Sequence, residues 1–433
     1  MSKYIYSLSN YRAIKNADIE IDGITVLAGE KGAGKSTLSR LLYDVVKAIT
    51  MFEQYAENEA RNEVLSVMSL LRRSYSFMRP SRYREFLIPI NDINRILHTS
   101  HRLDDLNEAV GKILNNYKEE MLALLAGDVR NRAYYMSRMA TLFNMEDTMS
   151  REEEPVSFLD TICNKLLRRV NTAVSIAEDR KTKRRSDTLF EFIADFDEQV
   201  EGEIRSLRLS EDGVELLETF HFGHILNINR VIYFKTSELL DYIGKPSDLH
   251  TCLETPIDKM CDDEKVLAKI FQSVLKGKMG VNEDGVLRES QFMYQREDGL
   301  QIPLAQAATG LVSLSFLYRL LENGYLRKGT LLIIDEPEAH LHPKWIVEYA
   351  RMIVLLQKKM DLKVVLSTHN PDMVAAIDSI SRKEGIGSRT NFYFAKPFEK
   401  NTFQYVYEKQ NSISGVFDSF NVALTRIQEY GAL

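Results

Sequence analysis

Gly29-Glu30-Lys31-Gly32-Ala33-Gly34-Lys35-Ser36-Thr37 is the stretch that decides the fold. It follows the β-branched apolar run at residues 24–27 and precedes a helical pattern at residues 38–43. This order of strand, glycine loop and helix is the context in which G-x-x-x-x-G-K-[ST] forms a phosphate-binding loop. Glycines allow consecutive backbone N–H groups to face one anion, and the helix N-terminus adds partial positive charge. The stretch therefore predicts a site for a nucleoside triphosphate.

The residues of this loop have different expected roles. The Lys35 ammonium should reach the β- and γ-phosphates and assist catalysis, and the Ser36 hydroxyl should bind Mg²⁺. The expected nucleotide-binding residues of the loop are Gly29, Glu30, Lys31, Gly32, Ala33, Gly34, Lys35, Ser36 and Thr37. We therefore expect ATP and Mg²⁺ as ligands.

The composition limits the kind of protein this is. The 433 residues carry a formal net charge of −6, with 44% hydrophobic and 27% charged residues. These values are ordinary for a globular protein, and any nucleic-acid site would have to be a local patch. No run approaches the roughly 18 apolar residues of a membrane span, and the N-terminus lacks a signal-peptide core. The scattered cysteines have no metal-binding spacing. We expect a cytoplasmic protein without a membrane partner.

Three segments follow from the periodicity of the sequence. Residues 1–50 show strand patterns and the phosphate loop, with Asp22-Gly23 as a hairpin signal between the last two strands. Residues 51–222 are poor in glycine and show helical periodicity, whereas strand patterns return in residues 223–433. We expect an α/β fold, a mixed sheet flanked by helices, that is split by a large α-helical insertion.

The insertion contains three basic clusters, two of which combine arginines with aromatic residues. They are residues 72–84, the group Arg130, Arg132, Tyr134, Tyr135 and Arg138, and residues 180–185. Phosphate contacts by basic residues together with aromatic stacking are typical of nucleic-acid binding. Solvated helix faces are the alternative, and an acidic run at residues 146–154 favours it. The sequence leaves both interpretations open.

The third segment contains a hairpin pattern and an apolar helix. Residues 290–304 predict a hairpin through Asp298-Gly299, and residues 311–321 predict the helix, with Gly324 at its C-terminal end. Thr309 and Gly310 open this helix. Thr309 could serve there as a simple N-cap.

Two later strands end in polar residues. The apolar run at residues 331–334 predicts a buried parallel strand, at whose end Asp335 should hold Mg²⁺ and Glu336 should deprotonate the attacking water. Residues 363–368 predict another strand, which His369 follows. A zinc site formed by Glu338, His340 and His342 is rejected, because no cysteine is placed to complete it.

Four motifs in this order resemble the heads of ABC-type and SMC-like ATPases, over residues 1–50 and 225–395. The Asn10-Tyr11-Arg12 segment resembles the family's N-[FY]-R motif, which implies that Arg12 lies near the nucleotide. Thr309 and Gly310 resemble the start of the signature helix, although Ala308 stands where the family usually has Ser. That helix docks on the γ-phosphate held by a second subunit, so the resemblance implies at least a homodimer with nucleotide at the interface.

The histidine after the third strand also carries a family resemblance. Residues 367–371 resemble the S-T-H-[SN]-P switch, whose histidine contacts the γ-phosphate. The resemblance therefore implies a catalytic role for His369. The family's Q-loop glutamine has no clear match in the sequence, and Gln54 is a weak candidate.

Two segments narrow the resemblance further. IDEPEAHLHP at residues 334–343 and LSTHNPDMV at residues 366–374 are similar to the overcoming-lysogenization-defect (OLD) family and to the PtuA-like and AriA-like ATPases of anti-phage systems. OLD proteins continue into a Toprim nuclease. Residues 370–433 contain no D-x-D pattern, so the resemblance implies an effector nuclease encoded separately.

The sequence thus favours an ATPase that senses or regulates such an effector in bacterial anti-phage defence. The alternative is an SMC-like ATPase that acts directly on DNA in repair or recombination. DNA and a phage protein are further candidate partners. A transporter subunit is disfavoured by the long insertion.

Overall fold

The computed structural model describes residues 2–78, 104–145, 154–196, 206–244, 247–282, 291–399, 403–414, 417 and 430. The chain forms two compact units, which we call the head unit (residues 1–50 and 189–433) and the helical unit (residues 51–188). The helical unit thus ends before the predicted residue 222. The physical reason is that the strand at Arg208–Glu211 pairs with the first strand of the head unit.

Strands occur in the head unit. In chain order they are β1 (Tyr4–Tyr11), β2 (Ile14–Ile21), β3 (Ile24–Ala28), β4 (Arg208–Glu211), β5 (Val214–Glu215), β6 (Arg230–Lys235), β7 (Gly277–Asn282), β8 (Gln291–Arg296), β9 (Gln301–Pro303), β10 (Thr330–Asp335), β11 (Lys363–Thr368), β12 (Thr390–Pro397) and β13 (Tyr405–Gln410). Among the described residues, one mixed sheet has the order β5-β4-β1-β2-β13-β12-β3-β11-β10-β6. The antiparallel set β7-β8-β9 is separate, and its β8–β9 pairing confirms the hairpin predicted through Asp298-Gly299.

The helices complete the layers of the two units. In chain order they are α1 (Lys35–Met78), α2 (Asp104–Gly127), α3 (Arg132–Leu142), α4 (Pro155–Lys183), α5 (Ser186–Phe196), α6 (Leu239–Gly244), α7 (Asp248–Glu254), α8 (Asp262–Leu275), α9 (Thr309–Glu322), α10 (Pro343–Met360) and α11 (Pro371–Lys383). Gly324, with φ +81°, follows α9 as predicted. The predicted α/β class is confirmed. Within the described ranges, no helix has the length and apolar character that a membrane span requires.

The centre of the main sheet is the parallel set β3-β11-β10-β6. Every residue of β3, β10 and β11 is buried, which explains their continuous apolar runs. Asp335 lies opposite Ser367 on β11 and opposite Lys235 on β6, and Thr368 lies opposite Ala28 on β3. This register brings the carboxyl ends of the strands to one edge of the sheet.

The predicted hairpin at Asp22-Gly23 is wrong. β2 pairs with β1 and β13, whereas β3 lies between β11 and β12. Gly23 has a different reason to be glycine, because a Cβ there would lie 2.4 Å from the carbonyl oxygen of Arg389. The close approach of two backbones, rather than a hairpin turn, therefore explains this glycine.

The helical unit has a core of its own. Tyr117 of α2, Phe158 of α4 and Val64 of α1 are fully buried in it. Two residues of the basic cluster at residues 180–185 form ion pairs within this unit. Arg180 contacts Glu59, and Lys181 lies 3.0 Å from Glu57. Residues 79–84 of the first basic cluster lie outside the described part of the chain.

A buried ion pair in the head unit gives a stability prediction. The Arg327 guanidinium donates two hydrogen bonds, of 2.6 and 2.9 Å, to Glu264, whose side chain is fully buried. Arg327→Ala removes the counter-charge of that carboxylate, which keeps the backbone N–H of Cys261, so we expect it to lower the stability of the head unit by about 3 kcal/mol. Urea unfolding would measure the loss. The control is Arg296→Ala, which removes an exposed pair with Asp298 and should leave the curve unchanged. Equal midpoints for both variants would contradict the prediction.

Candidate functional site

The loop between β3 and α1 has the backbone geometry of an anion cradle. Gly32 and Gly34 have φ values of +86° and +87°, in the left-handed region that favours glycine. A Cβ at Gly34 would also lie 3.0 Å from Cγ1 of Ile14. The Tyr407 hydroxyl donates a 3.1 Å hydrogen bond to the carbonyl oxygen of Ala33, a contact that the sequence did not predict. The loop is therefore tied to β13, and Ile14 of β2 leaves little room for a side chain at Gly34.

Lys35, the first residue of α1, points back into this loop. Its ammonium donates hydrogen bonds to the carbonyl oxygens of Gly29 (2.8 Å) and Glu30 (2.7 Å). Burial lowers the pKa of Lys35, and the carboxylates of Asp335 and Glu338 oppose that change. The lysine is thus a buried cation that faces the carboxylates at the end of β10, in a position suited to a phosphate group.

Asp335 ends β10 as a fully buried carboxylate. Neither of its oxygens has a hydrogen-bond partner among the described residues. Burial raises the pKa of Asp335 to about 6, although the Ser36 hydroxyl acts in the opposite direction. A carboxylate and a hydroxyl that face each other are the oxygen ligands that Mg²⁺ prefers. The residues present therefore fit a magnesium ion held by Ser36 and Asp335.

Glu336 follows in a left-handed conformation, with φ +51°. Its backbone N–H donates to the carbonyl oxygen of Ser367 at 2.9 Å. Its carboxylate accepts a 3.5 Å hydrogen bond from the Ser237 hydroxyl and lies 4.0 Å from the Lys235 ammonium. Such backbone conformations in residues other than glycine cost free energy and cluster at active sites. The left-handed backbone of Glu336 therefore marks a strained position directly after β10.

His369 comes directly after β11 and contacts a second carboxylate. The carboxylate oxygen Oε1 of Glu338 accepts the backbone N–H of His369 at 2.9 Å and lies 3.1 Å from the ring atom Nδ1. The Glu338 side chain is only 3% exposed, whereas that of His369 is 31% exposed. The sequence argues against Glu338 as a zinc ligand and does not predict its pairing with His369.

A cleft of about 230 Å³ lies beside these residues. Four of the predicted site residues line it: Arg12, Ser36, Thr37 and Asp335. Residues that the sequence did not single out also line it, among them Arg40, Tyr233 and Lys235. Lys235 could have been found from its position at the end of a strand pattern, as Asp335 and His369 were.

The structure does not place the start of α9 in this cleft, since neither Thr309 nor Gly310 lines it. The interpretation of Thr309 as the N-cap is wrong, because Ala308 occupies that position and Thr309 is the first helical residue. Gly310 is buried, and a Cβ there would lie 3.2 Å from Cγ of Trp345. Gln54 is an exposed residue in the part of α1 that belongs to the helical unit.

The buried carboxylate of Asp335 gives a pH-dependent stability prediction. Its pKa is raised to about 6, above the value near 3.9 of an unfolded chain, so folding stability is lost as the pH rises through this interval. Asp335→Asn should therefore stabilise the nucleotide-free protein by about 2 kcal/mol at pH 7.5, and the difference should shrink below pH 4.

Thermal unfolding in EDTA at several pH values would measure this difference. The matched control is Asp18→Asn, which makes the same chemical change at an exposed position of β2 and should show no pH-dependent gain. A destabilised Asp335→Asn protein at pH 7.5 would show that neighbouring cations already compensate the buried charge.

The comparisons with known proteins agree with this geometry. The model of the AAA ATPase domain family matches residues 6–374. No sequence match to a curated protein was found.

Solved structures of low identity are also similar to this chain. The SMC head domain from Thermotoga maritima is 9% identical with a TM-score of 0.27, and the similarity covers 48% of this chain and 65% of that one. An Smc head domain with an extended coiled coil, bound to the C-terminal domain of ScpA and derived from Pyrococcus furiosus, is 11% identical with a TM-score of 0.35, covering 99% and 100%.

A Pyrococcus yayanosii Smc head domain with a coiled coil and joint is 10% identical with a TM-score of 0.28, covering 91% and 64%. The chain thus spans just under two thirds of the T. maritima and P. yayanosii chains. Because the family model covers most of its length, the chain belongs to the AAA ATPase domain family.

Proposed function

We propose that this protein is a Mg²⁺-dependent ATPase that works as a nucleotide-controlled switch. The observation that carries the proposal is the convergence of functional residues at the carboxyl ends of three neighbouring parallel strands. They are Lys35 and Ser36 after β3, Asp335 and Glu336 at the end of β10, and His369 after β11. The edge where parallel strands end is the usual place for a site in such sheets.

The residues divide the chemistry of hydrolysis among themselves. The loop amides and Lys35 bind the β- and γ-phosphates of ATP, and Ser36 with Asp335 would hold Mg²⁺. The ion supplies positive charge that offsets the charge of the phosphate oxygens. Glu336 accepts a proton from the water whose oxygen attacks the γ-phosphorus, while the bond to the ADP oxygen breaks. His369 contacts the γ-phosphate from the neighbouring strand.

A second copy of the chain completes this site in our proposal. Thr309 and Gly310 begin α9, and within the described residues no side chain caps that helix start. The backbone N–H groups of a helix start and the helix dipole suit a phosphate. Because these residues do not line the cleft of their own head unit, they would serve the nucleotide of a partner in a homodimer or larger homo-oligomer.

We infer the biological role of the switch from the motif resemblance at residues 334–343 and 366–374. We propose that the cytoplasmic ATPase senses a phage signal and controls a separately encoded effector nuclease, as the resemblance to the OLD family implies. ATP-bound and ATP-free states would differ in assembly, and this difference would be the signal to the effector.

The test is Glu336→Gln, which removes the proton acceptor but keeps the shape of the side chain. We expect ATP turnover to fall at least 100-fold, and native mass to reveal a larger oligomer that retains ATP. The control is Glu348→Gln, the same change in a residue of α10 that pairs with Arg351. Unchanged turnover in Glu336→Gln would contradict the assigned base. An oligomer that does not respond to ATP would contradict the shared site.

An ATPase that acts directly on DNA is the second candidate. Arg130 and Arg138 are exposed in the helical unit, and Tyr134 is 57% exposed. The cluster at residues 180–185 gives less support, since Arg180 and Lys181 pair with glutamates of α1.

The two candidates are separated by the response of ATP turnover to DNA. DNA stimulation that weakens with salt and is reduced by Arg130→Ala would favour direct action on DNA. Turnover that is indifferent to DNA, together with an effector that co-purifies, would favour the switch.

A further inference from the structure

We propose that Glu338 is a positioning residue that fixes the orientation of His369, so that the two act as a unit in hydrolysis. This inference rests on the proposed ATPase mechanism and adds a residue to it. The two carboxylates that follow Asp335 then have different tasks. Glu336 faces the attacking water, and Glu338 holds the histidine.

The contacts between the two residues have the geometry of an orienting pair. One carboxylate oxygen of Glu338 accepts the His369 backbone N–H at 2.9 Å and lies 3.1 Å from its Nδ1 atom. A proton on Nδ1 therefore points to Glu338, and Nε2 is the ring nitrogen left to face the substrate. A carboxylate that sets the tautomer and the ring direction of a histidine is a recurrent arrangement in enzymes.

The main chain around His369 is fixed by hydrogen bonds, so that the rotation of its imidazole ring is what remains to be set. Thr368 ends β11, and its hydroxyl accepts the N–H of Asn370 at 3.0 Å. Asn370 in turn caps α11 by accepting the N–H groups of Asp372 and Met373. The main chain of His369 is thus anchored on both sides, and the Nδ1 contact with Glu338 is what directs its side chain.

Burial decides which carboxylate can act on water. The Glu338 side chain is 3% exposed and that of Glu336 is 26% exposed. The second oxygen of Glu338 is buried without a hydrogen-bond partner in the described part of the chain. A buried carboxylate oxygen without a partner lowers stability, so a carboxylate in such a place indicates a specific task.

The test is a double-mutant cycle of Glu338→Ala and His369→Ala, read as kcat and KM for MgATP together with nucleotide affinity. We expect Glu338→Ala to lower kcat by about 10- to 100-fold with little change in nucleotide affinity. In the His369→Ala background the same change should cost less than twofold, because the histidine to be positioned is absent. Glu338→Gln keeps an oxygen for both hydrogen bonds and should lose less activity than Glu338→Ala.

The matched control is Glu211→Ala. Glu211 is also a buried carboxylate that accepts backbone N–H groups, from Leu226 at 2.9 Å and Asn227 at 3.0 Å. The Glu211→Ala substitution should lower the melting temperature, and any effect on kcat should be the same with or without His369. If Glu338→Ala behaves like this control, with equal factors in both backgrounds, the positioning role is overturned. If the wild-type protein does not hydrolyse ATP, the proposed function fails instead.

Discussion

The parallel register of β3, β11, β10 and β6 is the constraint on which the site depends. Backbone hydrogen bonds place Thr368 opposite Ala28, and Asp335 opposite both Ser367 and Lys235. A slip of one residue would turn every side chain of a strand to the other face of the sheet. The hydrophobic burial of these strands therefore fixes which polar residues meet at the carboxyl edge.

The same scaffold tolerates groups that are unfavourable on their own. Lys35, Asp335 and Glu338 are charged residues with less than a tenth of their surface exposed, and Glu336 adopts a left-handed backbone. Each of these features lowers the free energy of unfolding, because desolvated charges and a strained backbone are unfavourable. Unfavourable groups of this kind cluster at functional sites, and here they lie together at one edge of the sheet.

The sequence predicted those parts of the site in which a local pattern and a chemical role coincide. Lys35 follows a glycine loop, and Asp335 and His369 follow apolar strand patterns, so the topology of an α/β sheet brings them together. Contacts between distant segments left no such pattern. The Tyr407 hydroxyl contacts Ala33 of the loop, which lies 374 positions earlier in the chain. Glu338 and His369 follow two neighbouring strands and contact each other there. For the same reason the position of β3 between β11 and β12 could not be read from Asp22-Gly23.

The three motifs are also joined through one buried residue, Ser367. Its hydroxyl contacts the Ser39 hydroxyl of α1, and its carbonyl oxygen accepts the N–H of Glu336. Ser367 lies in β11, two positions before His369, which directly follows the strand. Ser367 therefore links three elements: α1, which Lys35 begins, the strand that precedes His369, and the turn that holds Glu336. Because buried contacts of this kind have few alternative arrangements, a movement of one of these elements would have to be accommodated by the other two.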